Sequence, residues 1–358
     1  MIIDIVLLYA LGHGGLENVI KKVYNGLSKK GHKVRLFLAI PSKYNEWLTS
    51  IEEIYYYDNT FLDLSKEENI NRYSENYKRL TNEIGKPDII LCTHLPILSY
   101  ICYLSLSEEE RKKIPLISWI HGRMRAYEYV DLLKYSDYHL AISKKVGEEI
   151  FDVTKSENIY YIGNPVKYKG IKVIDRPKDE FIFLYLSRLD RDKRVNILLE
   201  ALSKVKGQWR VEIFGDGMYM DILKLLAKTY RVEEKIKWNG WMQDPWDKIQ
   251  EASATIITSN AEGFSMTTAE SLVRGIPVIS TMCGGPEDMI VNGLNGWMYN
   301  VENVTELQAI LNNVVTGKYI LPDQESCNKS IEILSEENVI SNIEKILLSI
   351  KEEYEYDN

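Results

Sequence analysis

Cysteine is scarce and scattered. The chain has four, Cys92, Cys102, Cys283 and Cys327, without the close pairing or ligand spacing of a disulfide framework or a zinc site, so reduced thiols in the cytosol are the default reading. Long apolar runs are missing: none reaches the roughly 18 to 20 residues that cross a bilayer, which leaves peripheral membrane contact only. The first residues, Met1-Ile-Ile-Asp-Ile-Val-Leu-Leu-Tyr9, lack the basic n-region and the length of a signal peptide and are predicted to be a buried strand. Positive charge is in deficit, 44 Lys and Arg against 52 Asp and Glu, net −8, which disfavours a general nucleic-acid binder. Most of that deficit follows residue 163, where 30 acids face 23 bases. Low-complexity segments and short repeats are also absent.

What is present fits a soluble α/β protein. A chain of 358 residues, 45% hydrophobic and 27% charged, suits two domains of about 160 to 180 residues. Apolar runs at 2–8, 33–40, 52–57, 88–93, 115–120, 137–142 and 158–162 alternate with helical stretches near 66–84, 97–106, 127–134 and 143–151, the pattern of a doubly wound parallel sheet. A further helix places Leu16, Val19, Ile20, Val23 and Leu27 on one face. Gly163-Asn164-Pro165 marks a boundary, giving a first domain over 1–164 and a second over 165–334. Lys167 to Lys178 reads as a polar linker. The last helix, about 335–350, carries Val339, Ile340, Ile343, Ile346, Leu347 and Ile350 on one side, and the charged tail after it is expected to fray.

The most informative stretch runs from Ser259 through Glu262-Gly263-Phe264-Ser265-Met266-Thr267-Thr-Ala-Glu270 to Gly275-Ile-Pro-Val-Ile. Apolar β-branched runs flank it, so the order is strand, loop, helix, strand, and in an open parallel sheet the loop after a strand's carboxyl end faces ligands. Gly263 lets backbone approach a ligand closely, and the free N–H groups of Phe264 to Thr267 form an anion site at the helix start. Glu262 in the loop and Glu270 one to two turns into the helix are acceptors for hydroxyls on either side of a phosphate. Taken alone, both would be solvated acids.

Other candidates sit at strand-to-helix turns. Gly14 and Gly15, in Leu11-Gly-His13-Gly-Gly, form either a tight turn or a phosphate loop. Arg188 and Lys193, five apart, could converge on a diphosphate, or belong to a solvated charge run. Asp190-Arg191-Asp192 could be read as a metal-binding Asp-x-Asp; we reject this, since the cations around it can themselves neutralise a diphosphate, and expect no metal. His121 ends an apolar run before Gly122, and is either structural or ligand-facing. Trp241 and Met242 frame a planar base or fill core. His139 and Trp246 are expected to pack, and Cys283-Gly284-Gly285-Pro286-Glu287-Asp288, a loop on the same sheet edge, is expected to shape the sugar pocket.

The run Glu-Gly-Phe-Ser-Met-Thr-Thr-Ala-Glu-Ser, with Gly-Ile-Pro-Val-Ile after it, resembles the two-glutamate signature of retaining glycosyltransferases of GT-B fold in family four. Ser136-Asp-Tyr-His-Leu-Ala-Ile-Ser143 and Asn239-Gly-Trp-Met-Gln-Asp-Pro-Trp246 add to the resemblance, which covers most of the chain. Ser265 departs from it, at a place where the family is expected to have proline. The resemblance implies two Rossmann-like doubly wound domains facing a cleft, acceptor on the first, donor on the second, and the last helix packed back on the first. It implies a UDP-sugar donor, galactose favoured, a glycan or glycolipid acceptor, and an α linkage, with 1,6 among the options. By the same resemblance Arg188 and Lys193 clamp the pyrophosphate, Gly14 and Gly15 face it, Glu270 holds the ribose, and Glu262 and His121 attend the transferred sugar. Trp241 and Met242 would then meet the uracil.

Two other readings stand beside it. One is a non-catalytic glycan- or partner-binding subunit on the same fold; the other is a nucleotide-sugar epimerase or hydrolase, which would need no acceptor. A basic set, Lys21, Lys22, Lys29, Lys30, Lys33 and Arg35 with Arg111, Lys112 and Lys113, is either a solvated face or a contact for anionic lipid.

Overall fold

The computed structural model describes residues 1–12 and 14–357; His13 of the glycine-rich loop and Asn358 lie outside the described residues. The chain forms two compact units, one of residues 1–165 with the C-terminal helix from Glu336, the other of residues 166–335.

In the first unit the strands are β1 (Ile2–Leu7), β2 (Lys33–Leu38), β3 (Ile54–Tyr56), β4 (Ile89–Thr93), β5 (Leu116–Ile120), β6 (Tyr138–Ala141) and β7 (Ile159–Tyr161). The main helices are α1 (Gly15–Lys29), α2 (Glu67–Ile84), α3 (Ile97–Ser105), α4 (Glu108–Arg111) and α5 (Lys144–Thr154). All seven strands pair in parallel, in the order β3-β2-β1-β4-β5-β6-β7. Strands buried on both faces need continuous apolar sequence, which is why the runs are Val-, Ile- and Leu-rich without alternation. The order reverses between β1 and β4, so the carboxyl ends of those strands flank the place where ligands bind in such sheets.

The second unit repeats the design with β8 (Phe181–Leu186), β9 (Trp209–Phe214), β10 (Ile236–Gly240), β11 (Ala254–Ile257), β12 (Val278–Thr281) and β13 (Gly296–Tyr299). Its helices are α6 (Val195–Leu202), α7 (Met220–Thr229), α8 (Met266–Val273), α9 (Val304–Val315) and α10 (Gln324–Lys329). The parallel order is β10-β9-β8-β11-β12-β13, with the reversal between β8 and β11. Strand β13, four residues behind Asn292-Gly-Leu-Asn-Gly296, was too short and turn-flanked to read from sequence.

The last helix, α11 (Glu336–Asp357), belongs to the first unit. Glu336 pairs with Lys22 at 2.9 Å and Glu344 with Lys30 at 2.7 Å, both on or just after α1. The expected fraying after Ile350 does not occur: the helix continues to Asp357, and the Tyr354 hydroxyl donates to the Arg111 carbonyl at 2.5 Å. The stretch expected as a helix at 127–134 is instead two 3-10 turns, 124–126 and 130–135, broken by Tyr129 at φ +57°. Nor is 167–178 a free linker. The Ile174 N–H donates to Arg274 O at 3.0 Å, and Arg176 donates to the carbonyls of Ser253, Gly275 and Pro322.

Three of the basic set of the N-terminal region, Lys22, Lys30 and Arg35, are engaged inside the unit. Arg35 is fully buried and forks onto Asp4 at 2.6 and 3.0 Å, while Lys22 and Lys30 hold α11. Asp4 also accepts from Tyr77 at 2.6 Å, and burial raises its pKa to about 6. None of the helices in the described residues is long and apolar enough to cross a membrane.

Removing Arg35 leaves a buried carboxylate with no cation. Arg35→Leu is expected to destabilise the protein by about 3–5 kcal/mol in urea unfolding, and Lys30→Ala, which breaks a part-exposed pair, by about 1 kcal/mol or less. Similar costs for the two variants would show that the Asp4–Arg35 pair is not what holds β1 to β2.

Candidate active site

In the second unit the loops after β8 and β11 meet at the strand-order reversal. The Lys193 carbonyl accepts from the Tyr185 hydroxyl at 2.7 Å and from Thr258 Oγ1 at 2.6 Å, and Asn260 N donates to Asp192 O at 2.9 Å. Thus fixed, Lys193 Nζ reaches Glu262 Oε1 at 2.7 Å, and Ser259 Oγ donates to the same oxygen at 2.6 Å. The Glu262 backbone is clamped as well, its N–H to Cys283 O at 2.9 Å and its carbonyl to Gly285 N at 3.2 Å. Gly285 is required there: a Cβ would lie 2.2 Å from Phe264 O. Burial, chiefly, pushes the Cys283 thiol up to about 12, so it stays protonated beside this pair.

Glu262 is therefore a held group and not a solvated loop acid. The two expected clamp cations are held by different acids, Lys193 by Glu262 and the largely exposed Arg188 by Asp190 at 3.2 Å. Asp190 has a turn-forming job, its Oδ1 accepting from Asp192 N at 3.1 Å and Lys193 N at 3.2 Å. Among the described residues no group of three His, Cys, Asp or Glu is placed to hold a metal ion.

Helix α8 starts at the same edge. Thr268 and Ala269 donate back to Ser265 O, and Ser265 supplies no side-chain cap to the helix N–H groups. The N–H groups of Met266 and Thr267 have no acceptor among the described residues, as expected of a first helical turn left for an anion. Phe264 is buried beneath them. Ser265 sits at φ +72°, a backbone that suits glycine and that a pyrrolidine ring, fixed near φ −65°, would not adopt.

Glu270 lies one turn into α8. Its Oε2 accepts from Trp246 Nε1 at 3.0 Å, and Arg274 stacks over the Trp246 ring at 4.3 Å while donating to Glu270 O at 2.9 Å. Trp246 packs, as sequence suggested, and also aims a carboxylate, which sequence did not suggest. Trp241 and Met242 part company: Met242 packs against the cluster containing Phe214, Trp246 and Ile249, and Trp241 is 57% exposed.

The first unit has its own cluster at the β1/β4 reversal. Glu17, buried, accepts from Gly12 N at 2.7 Å and Gly14 N at 3.0 Å, and a Cβ on Gly14 would lie 2.6 Å from its carboxylate. The Gly14 backbone thus serves Glu17 first, and Gly15 opens α1. His121, after β5, packs on Trp119 at 4.4 Å between ring centroids and lies 6.3 Å from His94, which follows β4. Burial and then His94 push the His121 pKa well below its ordinary value, and burial takes His94 to about 4, so both rings are neutral at pH 7. His121 Nε2 is buried without a partner in the described residues. Tyr127 OH meets His94 Nδ1 at 3.3 Å. His139, by contrast, bonds Ser118 Oγ at 2.7 Å within the sheet. Sequence reading missed Glu17 and His94; the acid three residues after a helix-capping glycine, and the histidine at a strand's carboxyl end, were the available signals.

Two Rossmann-like parallel sheets in one chain, each with polar groups at its strand-order reversal, are the GT-B fold. Models of two families match, Glycosyl transferases group 1 over residues 166–332 and Glycosyltransferase Family 4 over residues 13–168, and the chain belongs to this family of transferases. It is 30% identical over 321 residues to the lipopolysaccharide 1,6-galactosyltransferase of Salmonella typhimurium, covering 86% of this chain and 88% of that one. Identity to the Escherichia coli K12 enzyme of the same name is 28% over 351 residues, 94% and 95% of the two chains. The solved lipopolysaccharide outer core galactosyltransferase WaaB, in apo form, superposes with a TM-score of 0.88 at 28% identity over 98% of this chain and 99% of that one. Anabaena HepE in complex with UDP shares the fold, TM-score 0.80 at 15% identity over 97% and 99%.

A histidine whose pKa falls on folding is protonated first in the unfolded chain, so stability declines as pH drops from 6.5 toward about 4. His94 has φ +79°, which asparagine tolerates, so His94→Asn removes the proton site and keeps the backbone. The melting temperature of the variant is expected to fall less steeply with acidification than that of the wild type; equal slopes would remove His94 as a source of acid lability.

Proposed function

We propose that this protein is a retaining hexosyltransferase that moves galactose from UDP-galactose to a hydroxyl of a cell-surface glycan or glycolipid, forming an α linkage, 1,6 among the options, without a metal ion. The observation that carries the reading is the Lys193–Glu262 contact on the loop that leads into the unpaired N–H groups of α8, with Glu270 held by Trp246 one turn further on. Similarity to galactosyltransferases along nearly the whole chain supports the donor sugar and the acceptor class.

In this scheme the N–H groups of Met266 and Thr267, in the segment Gly263 to Thr267, take the diphosphate with Arg188 and Lys193, and Glu270 takes the ribose hydroxyls. Trp241 and Met242 border the base, and Gly14 and Gly15 belong to the phosphate-side loop of the first unit. Glu262, its charge balanced by Lys193, accepts from sugar hydroxyls, and neutral His121 offers Nε2 to the reacting sugar. The bond from the anomeric carbon to the β-phosphate oxygen breaks, with its electron pair going to that oxygen. The acceptor hydroxyl oxygen bonds to the same face of the oxocarbenium-like centre, and its proton passes to the departing phosphate. Fixed donors aimed at the leaving oxygen supply the electrostatic part of the rate. The cationic groups and helix N–H donors do the work of a divalent ion, and Asp190 is already engaged by backbone and Arg188. We place the enzyme on the cytoplasmic side, with any membrane contact peripheral.

The test is UDP release from a panel of UDP-sugars, with EDTA, with and without a cell-envelope glycan fraction. Release should depend on one sugar, rise with acceptor and survive EDTA, and Glu262→Ala should lower it by about 100-fold or more. Loss with EDTA would overturn the metal-free scheme, acceptor-independent turnover would indicate an epimerase or hydrolase, and no turnover of any donor a binding subunit.

Deleting one hydrogen bond to the Glu270 carboxylate is worth about 1.5 kcal/mol or more. Trp246→Phe, which keeps a ring under Arg274, is accordingly expected to raise the donor KM about tenfold with kcat nearly unchanged. An unaltered donor KM would show that Trp246 only packs.

A further inference from the structure

Four large apolar side chains stand in solvent on the loops after β1, β2 and β3: Tyr9 at 39% exposure, Leu11 at 57%, Tyr44 at 37% and Phe61 at 66%. Single exposed apolar residues are ordinary, but these share one edge of one sheet, beside the glycine loop that Glu17 secures. The rings of Tyr9 and Phe61 meet edge to face, 5.6 Å between centroids.

Their supports are rigid. The Tyr73 hydroxyl donates to Thr60 O at 2.8 Å and accepts from Leu62 N at 3.0 Å, so both neighbours of Phe61 are fixed while its ring projects. Thr60 N also donates to Asp58 Oδ1 at 3.0 Å. Tyr44 N donates to Leu11 O at 3.0 Å, binding the second loop to the first. A loop backbone held in this way has already lost the freedom that binding would remove, which is how a preorganised surface differs from a stray apolar patch.

The charge around them decides the occupant. The loop after β3 carries Asp58, Asp63 and Lys66, the loop after β2 carries Lys43, and Leu8 to Gly12 carry no charge. Asp58 is bound by Arg72 and Asn76. This edge therefore has no cationic excess to meet an anionic bilayer. Aromatic faces with phenol hydroxyls at their rims, spread over loops of three strands about 4.8 Å apart, match flat rings with C–H faces and hydroxyl edges, and tyrosine gives such contact at low entropic cost. We infer that Tyr9, Tyr44 and Phe61 form a platform on which the pyranose rings of the acceptor glycan stack, with Leu11 filling beside them. This rests on the glycosyl-transfer reading for the identity of the glycan as acceptor, though not for its binding.

Saturation-transfer NMR and titration with a panel of neutral oligosaccharides, including a lipid-free, dephosphorylated core oligosaccharide from enterobacterial lipopolysaccharide, test the platform without turnover. At least one member should bind the wild type, Phe61→Ala and Tyr9→Ala should each weaken it about tenfold, and Phe61→Tyr should retain it. UDP affinity, measured in parallel, should not move. No binding by any oligosaccharide, or equal binding by wild type and both alanine variants, overturns the inference. So does loss of co-sedimentation with neutral or anionic vesicles in variants that keep oligosaccharide binding, since the patch would then be a lipid contact. Glycan binding that depends on Phe61 in a protein with no UDP-sugar turnover would uphold the platform and defeat the transferase reading alone.

Discussion

The contact between Lys193 and Glu262, 2.7 Å across the reversal of the second sheet, is the constraint around which the loops of the second unit are built. A cation and an anion on two different loops meet only if both loops are held from beneath. The hydroxyls of Tyr185 and Thr258 supply that hold by closing on one carbonyl. Glu262 is then fixed a second time through backbone bonds to Cys283 and Gly285, so its main chain is held on both sides while its carboxylate meets Lys193. A group so placed can recognise hydroxyls without paying for its own ordering when the sugar arrives.

The polar groups of the first unit follow a different logic. Its sheet is crossed by a buried pair, Asp4 with Arg35, completed by Tyr77, while at its carboxyl edge burial keeps the His94 and His121 rings neutral. Glu17 retains partners in two backbone N–H groups and needs no cation. Exposed aromatic rings beside two neutral histidines suit an uncharged, hydroxyl-rich molecule, and the cations at the edge of the second unit suit a diphosphate.

Much of the fold was legible because both sheets are parallel. Their strands are buried on both faces and read as plain apolar runs, and the switch from such runs to three- and four-residue spacing located most of the helices. Short or irregular pieces escaped for equally physical reasons: β13 has four residues, and the 3-10 turns around Tyr129 depend on a positive φ that composition does not announce. The basic face around α1 misled because Arg35 points inward from a strand and Lys22 and Lys30 are met by α11, more than 300 residues later in sequence.

Sequence by itself determined the class of fold, the two-part division and the residues of the Glu262 to Glu270 segment, since periodicity, glycine placement and the spacing of the acids are local properties of the chain. Tertiary structure alone decided which distant groups meet. That Lys193 belongs to Glu262 and that the Trp246 indole donates to Glu270 are results of distant segments brought side by side, whereas the pairing of Arg188 with Asp190 and the closing of the glycine loop by Glu17 stay within a few residues of chain. Distances between side chains on different strands are set by register and packing, and no one-dimensional pattern carries them.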